Sequence, residues 1–330
     1  MANPKPSNYF EYIIRDADSY RSVLAGANFE ISQLEPGRLT GRHVRLGLPG
    51  GEFSYIETSL PLRGCGIFPN LWALSVVLES RSRSLQHGIE VRAGSLVIHQ
   101  PGVEHDGVYG RNFKVVCFSV RDEVLAKHLR RLSPRFQDAI RQPWSVFEPP
   151  AASRQEIIAH FTEAAAIIQS DPRLRNSRRA LATFEERLVC DFLKAVALQF
   201  ASHSMETDRR AAAMVRRVDQ VAQRSRLVGA TVVELCAACN VPRRTLNRAF
   251  QHAIGMGPAA YFRRVRLNRA RRALQRVRAR STTVTDVALE LGFRHLGRFA
   301  KQYNELFGES PHETLRRADT GILTARTLRD

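Results

Sequence analysis

Short β-rich runs separated by glycine and proline characterise the first part of the chain. Runs such as LWALSVVLE (71–79), SLVIHQPG (95–102) and FKVVCFSV (113–120) are rich in branched and aromatic side chains and are bounded by turn residues. Runs of this length indicate strands, and their spacing is typical of an antiparallel sandwich or barrel. The pattern therefore predicts a β domain over about residues 29–150.

The periodicity changes to that of helices from Ser153 to Phe200. Apolar residues recur there three or four positions apart with charged residues between them, as in the series Leu181, Phe184, Leu188 and Phe192. We predict two helices over about residues 153–200, broken near Asp171-Pro172. Their apolar stripe could cover the β domain within one chain or form a seam between two chains.

A polar stretch without periodicity follows and predicts a linker at residues 203–210. Residues 1–202 then form one domain, residues 211–320 a second, helical domain, and residues 321–330 a C-terminal tail. The expected fold class is α+β, with an antiparallel β domain and its helices followed by an all-α domain.

One motif occurs twice in the helical domain, at residues 231–255 and 283–308. Each copy has a short apolar helix, a tight turn and a second, amphipathic helix, which is the pattern of a helix-turn-helix. The turns contain Asn240 and Gly292, residue types that adopt the left-handed backbone conformation most easily. The repeat therefore predicts two helix-turn-helix units.

The second helix of each unit has one apolar and one polar face. In the first copy, Leu246, Phe250 and Ala253 form the inner face, and Arg244, Asn247, Arg248 and Gln251 the outer face. In the second, the inner face is Leu296, Phe299, Ala300 and Tyr303, and the outer face Arg298, Lys301, Gln302 and Glu305. Arginine can bond guanine and asparagine can bond adenine in a bidentate manner, so these faces suit the major groove of DNA.

A predicted helix at residues 258–280 joins the two units and carries nine arginines in positions 263–280. About 20 helical residues span roughly 30 Å, close to the ~34 Å between successive major-groove segments on one side of the duplex. One rigid domain could therefore contact two consecutive groove segments. We expect the arginines of this helix to contact phosphates or to remain solvated.

The net charge of +18 supports a polyanionic partner because of where it lies. Residues 1–208 contain 25 basic and 23 acidic residues, whereas residues 209–330 contain 25 basic and 9 acidic residues. This asymmetry indicates that the helical domain binds nucleic acid.

The helical domain resembles the DNA-binding domain of the AraC/XylS family of bacterial transcription regulators. The segments that carry the resemblance are RRTLNRAF (243–250), RLNRARRAL (266–274), VALELGF (287–293) and FGESP (307–311). The DNA-binding residues that it implies are Arg243, Arg244, Asn247, Arg248, Gln251, Arg294, His295, Gly297, Arg298 and Lys301.

Three positions depart from the family pattern. Pro242 stands where serine is usual and cannot supply a side-chain cap, Gly297 has no side chain to contact a base, and Tyr303 replaces a usual phenylalanine. We therefore expect the first recognition helix to provide most of the sequence discrimination.

The segment GSLVIHQPGVEH (94–105) resembles one half of a cupin signature. Together with the family resemblance, it implies a cupin-like antiparallel β-barrel that senses a ligand, followed by helices whose apolar stripe the resemblance favours as a dimer seam. The expected ligand contacts are Phe53, Tyr55, Trp72, His99 and His105. His43 and His87 are the histidines upstream of this segment, and two isolated histidines do not assemble a metal-ligand set. We therefore expect no metal and no other cofactor.

The sequence thus predicts a transcription regulator, of the activator type, that responds to a small-molecule effector. Its expected partners are double-stranded DNA, the effector, a second copy of the chain and RNA polymerase. No window approaches the ~20 apolar residues of a membrane helix, so we expect a cytoplasmic protein. Alternatives are a cupin-type metalloenzyme fused to a DNA-targeting domain and a non-specific architectural DNA binder. The absence of Ser-His-Asp, P-loop and paired metal motifs argues against an enzyme.

Overall fold

The computed structural model describes residues 8–24, 29–67, 70–130, 134–197, 214–222, 231–276 and 283–319. The predicted linker at residues 203–210 and the predicted tail at residues 321–330 lie outside these ranges. The predicted order, a β-rich N-terminal part followed by a helical C-terminal part, is confirmed.

Twelve strands are found in the described residues of the N-terminal part. They are β1 Tyr9–Ile14, β2 Glu30–Gln33, β3 Gly41–Leu48, β4 Gly51–Thr58, β5 Leu62–Ile67, β6 Trp72–Glu79, β7 Ser84–Gln86, β8 Ile89–Val91, β9 Leu96–His99, β10 Glu104–Tyr109, β11 Phe113–Val120 and β12 Trp144–Phe147. One sheet has the order β1-β3-β4-β11-β6-β9-β12 and the other the order β2-β5-β10-β7-β8. No ladder joins the two sheets in the described residues, so the predicted barrel is an open, two-layered arrangement.

The seven-stranded sheet buries both of its faces, as the alternation of side chains along a strand requires. On β4 and β11, Phe53 and Phe118 belong to one apolar core, and Ile56 and Val115 belong to another. The second core also includes Leu62 of the five-stranded sheet. The space between the sheets is therefore separate from the core on the outer face.

Helices cover that outer face. The helices of this part are α1 Ala17–Val23, α2 Asp122–Leu129, α3 Pro134–Ile140, α4 Ala151–Ser170, α5 Pro172–Asn176 and α6 Arg178–Ala197. The predicted break at Asp171-Pro172 is confirmed, with the short α5 placed between the two long helices. Leu181, Leu188 and Phe192 are buried in the same core as Phe53. The apolar stripe therefore covers the sheet within one chain and is not available as a seam between chains.

Seven helices make up the described residues of the C-terminal part. They are α7 at residues 214–222, α8 Val232–Cys239, α9 Arg243–Ile254, α10 Pro258–Arg276, α11 Val284–Glu290, α12 Leu296–Phe307 and α13 Pro311–Asp319. Helices α8 and α9 form the first helix-turn-helix unit, and α11 and α12 form the second. Tyr261 of α10 lies in the core of the first unit, and Leu267 and Leu274 lie in the core of the second. Helix α10 therefore fixes the two units relative to each other.

The two units also share their local backbone chemistry. Thr231 and Thr283 each begin the first helix of a unit with a reciprocal capping box, which satisfies backbone N–H groups at the helix start. The turns contain Asn240 at φ 49° and Gly292 at φ 77°, so the left-handed conformation expected at both residues is present.

Replacement of Asn240 by valine should destabilise the C-terminal part by about 1–2 kcal/mol, because the left-handed conformation places Cβ too close to a carbonyl oxygen. Asn240→Gly is the matched control and should retain wild-type stability. Urea unfolding followed by circular dichroism measures both variants. Equal stability of the two variants would contradict the left-handed turn.

Candidate functional site

Helix α9 presents a basic and polar surface. Arg243, Arg244, Asn247, Arg248 and Gln251 are all exposed. The opposite face of the helix is fully buried at Leu246 and Phe250, which anchor it to the rest of the first unit. The five side chains therefore extend from a rigid base, as contact with base edges in a groove requires.

Helix α12 and the turn before it present a second such surface. Arg294, His295, Gly297, Arg298 and Lys301 are exposed, and Phe299 and Tyr303 are buried. The inner face is narrower than predicted, because Leu296 is 39% exposed and Ala300 is also exposed. A Cβ atom added at Gly297 would meet no atom within 4 Å, so this position is open to solvent.

The arginines of α10 are not uniformly solvated, contrary to expectation. Arg271 donates to Glu309, at 2.8 Å, and lies 3.7 Å from a carboxylate oxygen of Asp16. Arg272 is 8% exposed and lies 3.5 Å from an oxygen of Asp18. Acidic side chains near α10 attract these two guanidinium groups into the contact between the two parts of the chain, so they are not free to contact phosphates in this arrangement.

A cavity of about 260 Å³ lies between the two sheets. Its wall is predominantly apolar, with Phe29, Ile56 and Phe113 among its residues. Polar side chains interrupt this wall at the residues His43, Arg45, Glu52, Ser54, Thr58, Ser75, Gln86, His99, His105, Tyr109, Cys117 and Ser119. A concave, mainly apolar space that also offers polar groups is the usual form of a small-molecule site.

Only part of the predicted ligand set lines this cavity. His99 and His105 are in its wall. Phe53, Tyr55 and Trp72 lie instead on the other face of the seven-stranded sheet, in the core beneath the helices. The residues of β4 and β6 that do line the cavity are the sequence neighbours of these three, such as Ser54 next to Phe53 and Ala73 next to Trp72. An error of one position on a strand places a side chain on the wrong face.

His87 is not isolated, as the sequence had suggested, but lies next to His99 and His105. The Nε2 atom of His99 is 3.0 Å from Nε2 of His87 and 3.1 Å from Nδ1 of His105. The tight turn after β7, with His87 at φ 51°, brings the three rings together. Among the described residues, no group of three His, Cys, Asp or Glu side chains is arranged to hold a metal ion.

The proton position on His87 follows from its neighbour Arg216. Arg216 of α7 can only donate, and its Nη1 lies 3.3 Å from Nδ1 of His87. A neutral His87 then carries its proton on Nε2 and donates to His99. The Nδ1 atom of His105 lies 3.1 Å from the same His99 atom, and its Nε2 atom is hydrogen-bonded to the Tyr109 hydroxyl at 2.6 Å.

Burial keeps these rings neutral. Burial lowers the pKa of His105 to about 4. Burial also holds the pKa of His87 well below its ordinary value, and the neighbouring His105 and Arg216 add to this effect. The pKa of His99 is lowered for the same reason, with His105 and His87 adding to the effect. Burial and the charge of Arg45 lower the pKa of His43 to about 3.

Strand β10 separates the cavity from the helical part. His105 and Tyr109 face the cavity. The alternate residues face α7 and its surroundings, since Glu104 accepts from Gln220 at 3.2 Å and Val108 is in the core of the first helix-turn-helix unit. One strand thus supplies both a wall of the cavity and a contact surface for the C-terminal part.

Arg63 of β5 is at the centre of this contact. It is 2% exposed and donates to Asp106 of β10 at 3.0 Å, and also to Asp219 of α7 and Tyr261 of α10. Burial disfavours the charged guanidinium, but the two carboxylates raise its pKa well above the ordinary value. The Tyr261 hydroxyl donates to Asp219 at 3.0 Å and closes the network.

A second contact joins β2 to α10. Gln33 donates through its backbone N–H to the side chain of Asn268 at 3.0 Å, and the Asn268 amide donates back to the Gln33 carbonyl at 3.1 Å. The Gln33 side chain also donates to the Leu306 carbonyl at 2.8 Å. Sequence patterns did not indicate these residues, because a hydrogen-bonding pair 235 positions apart has no local signal.

Comparisons with known proteins match the C-terminal helices. Residues 235–317 match the family model described as "Helix-turn-helix domain". The XylDLEGF operon transcriptional activator of Pseudomonas putida is 41% identical over 73 residues, which are 22% of this chain and 23% of that protein. The solved structure of a "probable AraC family transcriptional regulator" from Rhodopseudomonas palustris is 39% identical and covers 32% of this chain and 96% of that chain, with a TM-score of 0.30. The AraC-like transcriptional activator CuxR is 14% identical and covers 79% of this chain and 94% of that chain, with a TM-score of 0.41.

The exposed helices α9 and α12 and the match over residues 235–317 define a domain with two helix-turn-helix units. Given this and the 39% identity to the AraC-family regulator of Rhodopseudomonas palustris, the chain belongs to the AraC/XylS family. It spans about a quarter of the length of the first curated relatives that it matches. No helix in the described residues is long and apolar enough to cross a membrane.

Substitution of Arg63 by methionine should lower the free energy of unfolding by about 3–5 kcal/mol, because it leaves the buried carboxylates of Asp106 and Asp219 without their cation. Arg83→Met is the matched control, since Arg83 forms a solvent-exposed pair with Glu90. Arg83→Met should lower the free energy of unfolding by less than about 1 kcal/mol. Urea unfolding of the full chain measures both, and similar losses in the two variants would contradict the role of Arg63.

Acidification should destabilise the protein through its buried histidines. A histidine whose pKa is lowered on folding contributes stability that is present above the unfolded value and lost as the pH falls. The pKa of His43 is about 3 in the folded protein and about 6.5 in the unfolded chain. The free energy of unfolding should therefore fall by about 2 kcal/mol between pH 7 and pH 5 because of this residue.

Urea unfolding at the two pH values measures this loss. His43→Gln should reduce the pH dependence of the free energy of unfolding by that amount. An unaltered pH dependence in His43→Gln would show that His43 does not carry it.

Proposed function

We propose that the chain is a sequence-specific DNA-binding regulator of transcription, of the activator type, that responds to a small-molecule effector. The observation that carries the proposal is the pair of exposed polar helix faces, on α9 and α12, held in register by α10. The name of the Pseudomonas putida activator supports the same function for this chain. The proposal assigns no catalysis, and it places the protein in the cytoplasm, where bacterial DNA lies.

Base recognition is assigned mainly to the first recognition helix. Arg244, Asn247 and Arg248 are exposed on α9 and have the chemistry to bond guanine and adenine edges. On α12, Arg298 and Lys301 supply cationic contacts, and Gly297 supplies none. Arg243, Gln251, Arg294 and His295 flank these positions and complete the surface proposed to face DNA.

The cavity between the sheets is the proposed effector site, with His99 and His105 among its contacts. A ligand there touches His105 and Tyr109 directly, and through β10 it can alter the contact of Asp106 and Arg63 with α7 and α10. Binding would then change the arrangement of the two parts of the chain, and with it the DNA sites that can be occupied.

The proposal includes a homodimer on paired DNA half-sites and a contact with RNA polymerase. Since the apolar stripe of α4 and α6 is buried within one chain, the dimer contact must use another surface. Sedimentation of the full chain, with and without duplex DNA, tests the oligomeric state.

DNA selection tests the regulatory function directly. The purified 330-residue chain is incubated with a library of random duplexes at about 0.15 M salt, with and without the small-molecule fraction of a bacterial extract, and the retained DNA is sequenced. We expect enrichment of paired short elements about one helical turn apart. Uniform retention in both conditions would instead indicate a non-specific architectural binder.

Arg244→Ala should relax the preference at one base position and cost about 1–3 kcal/mol of binding free energy on the selected site, because one bidentate contact is lost. Arg187→Ala, at an exposed position on α6, is the control and should leave the affinity unchanged. Binding isotherms on the selected site and on single-base variants of it measure both. A uniform loss on all sequences would show that Arg244 contacts only the backbone.

A further inference from the structure

Three residues that line the cavity each have a buried polar atom with no hydrogen-bond partner among the described residues. The atoms are Nδ1 of His43, Oγ1 of Thr58 and Oε1 of Gln86. Their residues are 1%, 4% and 4% exposed, and all three line the cavity. Leaving such a group unpaired away from water is costly, so each is a position where a ligand could supply the missing partner.

These atoms come from opposite walls. His43 lies on β3 opposite Ile56, and Thr58 lies two residues further along β4, so both belong to the seven-stranded sheet. Gln86 lies on β7 of the five-stranded sheet. A Cβ atom added at Gly107 would lie 3.0 Å from the amide nitrogen of Gln86 and 2.9 Å from Nε2 of His105, so the glycine leaves room for both groups at this end. A ligand that satisfies all three atoms must carry polar groups towards both walls.

The cavity offers no free charge to a ligand. Arg45 and Glu52 are its arginine and its carboxylate, and they bond each other, with Nε donating to Oε1 at 2.9 Å. The remaining guanidinium nitrogen donates to the Val23 carbonyl at 2.9 Å. The histidines of the wall are neutral at pH 7 because burial lowers their pKa values, to about 3 for His43 and about 4 for His105. A carboxylate ligand would have to break the Arg45–Glu52 pair to find a cation.

The volume limits the size of the occupant. A cavity of 150 Å³ holds benzene, so by proportion a cavity of about 260 Å³ accommodates roughly ten non-hydrogen atoms. This corresponds to one aromatic or aliphatic ring with short substituents.

We propose that the cavity binds an uncharged, single-ring molecule that carries hydroxyl groups at opposite ends, bonded by His43 and Thr58 on one wall and by Gln86 on the other. The proposal rests on the proposed function, in which this cavity is the effector site, and it names the chemical class of the effector.

Calorimetric titration of the full chain at pH 7.5 with matched probes tests the class. The probes are 4-(2-hydroxyethyl)phenol, with a hydroxyl group at each end; 4-hydroxyphenylacetate, which replaces one end with a carboxylate; and 1-ethyl-4-methylbenzene, which has neither polar group. We expect the diol to bind at least tenfold more tightly than the other two, because a satisfied buried hydrogen bond accounts for about a tenfold gain and an unpaired carboxylate is costly.

Variants locate the contacts. Thr58→Val and Gln86→Met should each weaken binding of the diol about tenfold and leave binding of the hydrocarbon unchanged or stronger. Thr58→Ser retains the hydroxyl group and should restore diol binding. Thr183→Val, at an exposed position on α6, is the matched control. Thr58→Val also removes an unpaired buried hydroxyl, so its ligand-free melting temperature should equal or exceed that of the wild type, which confirms folding.

Each other outcome overturns the proposal in a distinct way. Tighter binding of 4-hydroxyphenylacetate would show that the site takes acids, and equal binding of the hydrocarbon would show that the polar atoms are not contacts. Failure of all three probes to bind at millimolar concentration would remove this class of ligand. None of these results affects the DNA selection, so failure of the ligand class is distinguishable from failure of the regulatory function.

Discussion

The alternation of side chains along β10 is the constraint on which the rest of the molecule depends. Successive residues of a strand point to opposite faces, so a six-residue strand between a cavity and a second domain must contribute to both. His105 and Tyr109 form part of the cavity wall, and Asp106 and Val108 form part of the contact with the helical domain. Any shift of the strand backbone therefore moves the groups on both of its faces together.

The buried ion network around Arg63 determines how the two parts of the chain are oriented at this contact. A guanidinium group that is 98% buried is stable only with charged partners, and Arg63 has one from its own sheet, Asp106, and one from α7, Asp219. Burial opposes the ionisation of Asp106, but the attraction of Arg63 and its hydrogen bond hold the pKa of that carboxyl below its usual value. An arrangement that separates α7 from the sheet leaves Arg63 with one partner fewer, so the network favours one relative orientation of the two parts.

The sequence predicts local features of this structure well and distant contacts poorly. The left-handed residues Asn240 and Gly292 and the polar face of α9 follow from spacing within about 25 residues, and all are present. Phe53 and Ser54 are adjacent on β4 and therefore point to opposite faces of the sheet. Which of them faces the cavity depends on which face the helices cover, and the local sequence does not indicate that. The same limit applies to His87, which reaches His99 only through the turn after β7.

Charge in the helical domain is divided between the inside and the outside of the molecule. Asp16, Asp18 and Glu309 lie close to Arg271 and Arg272 of α10, so part of the excess of basic residues is compensated within the chain. The compensated arginines lie where α10 meets the N-terminal part and α13, whereas the arginines of α9 and the start of α12 are exposed. Electrostatic attraction to phosphates acts mainly through the exposed groups, because the negative charge of a paired carboxylate cancels most of the electric field of the guanidinium. The exposed positive charge of the two helix-turn-helix units therefore includes the arginines of α9 and the start of α12, and in the proposed function this charge attracts DNA.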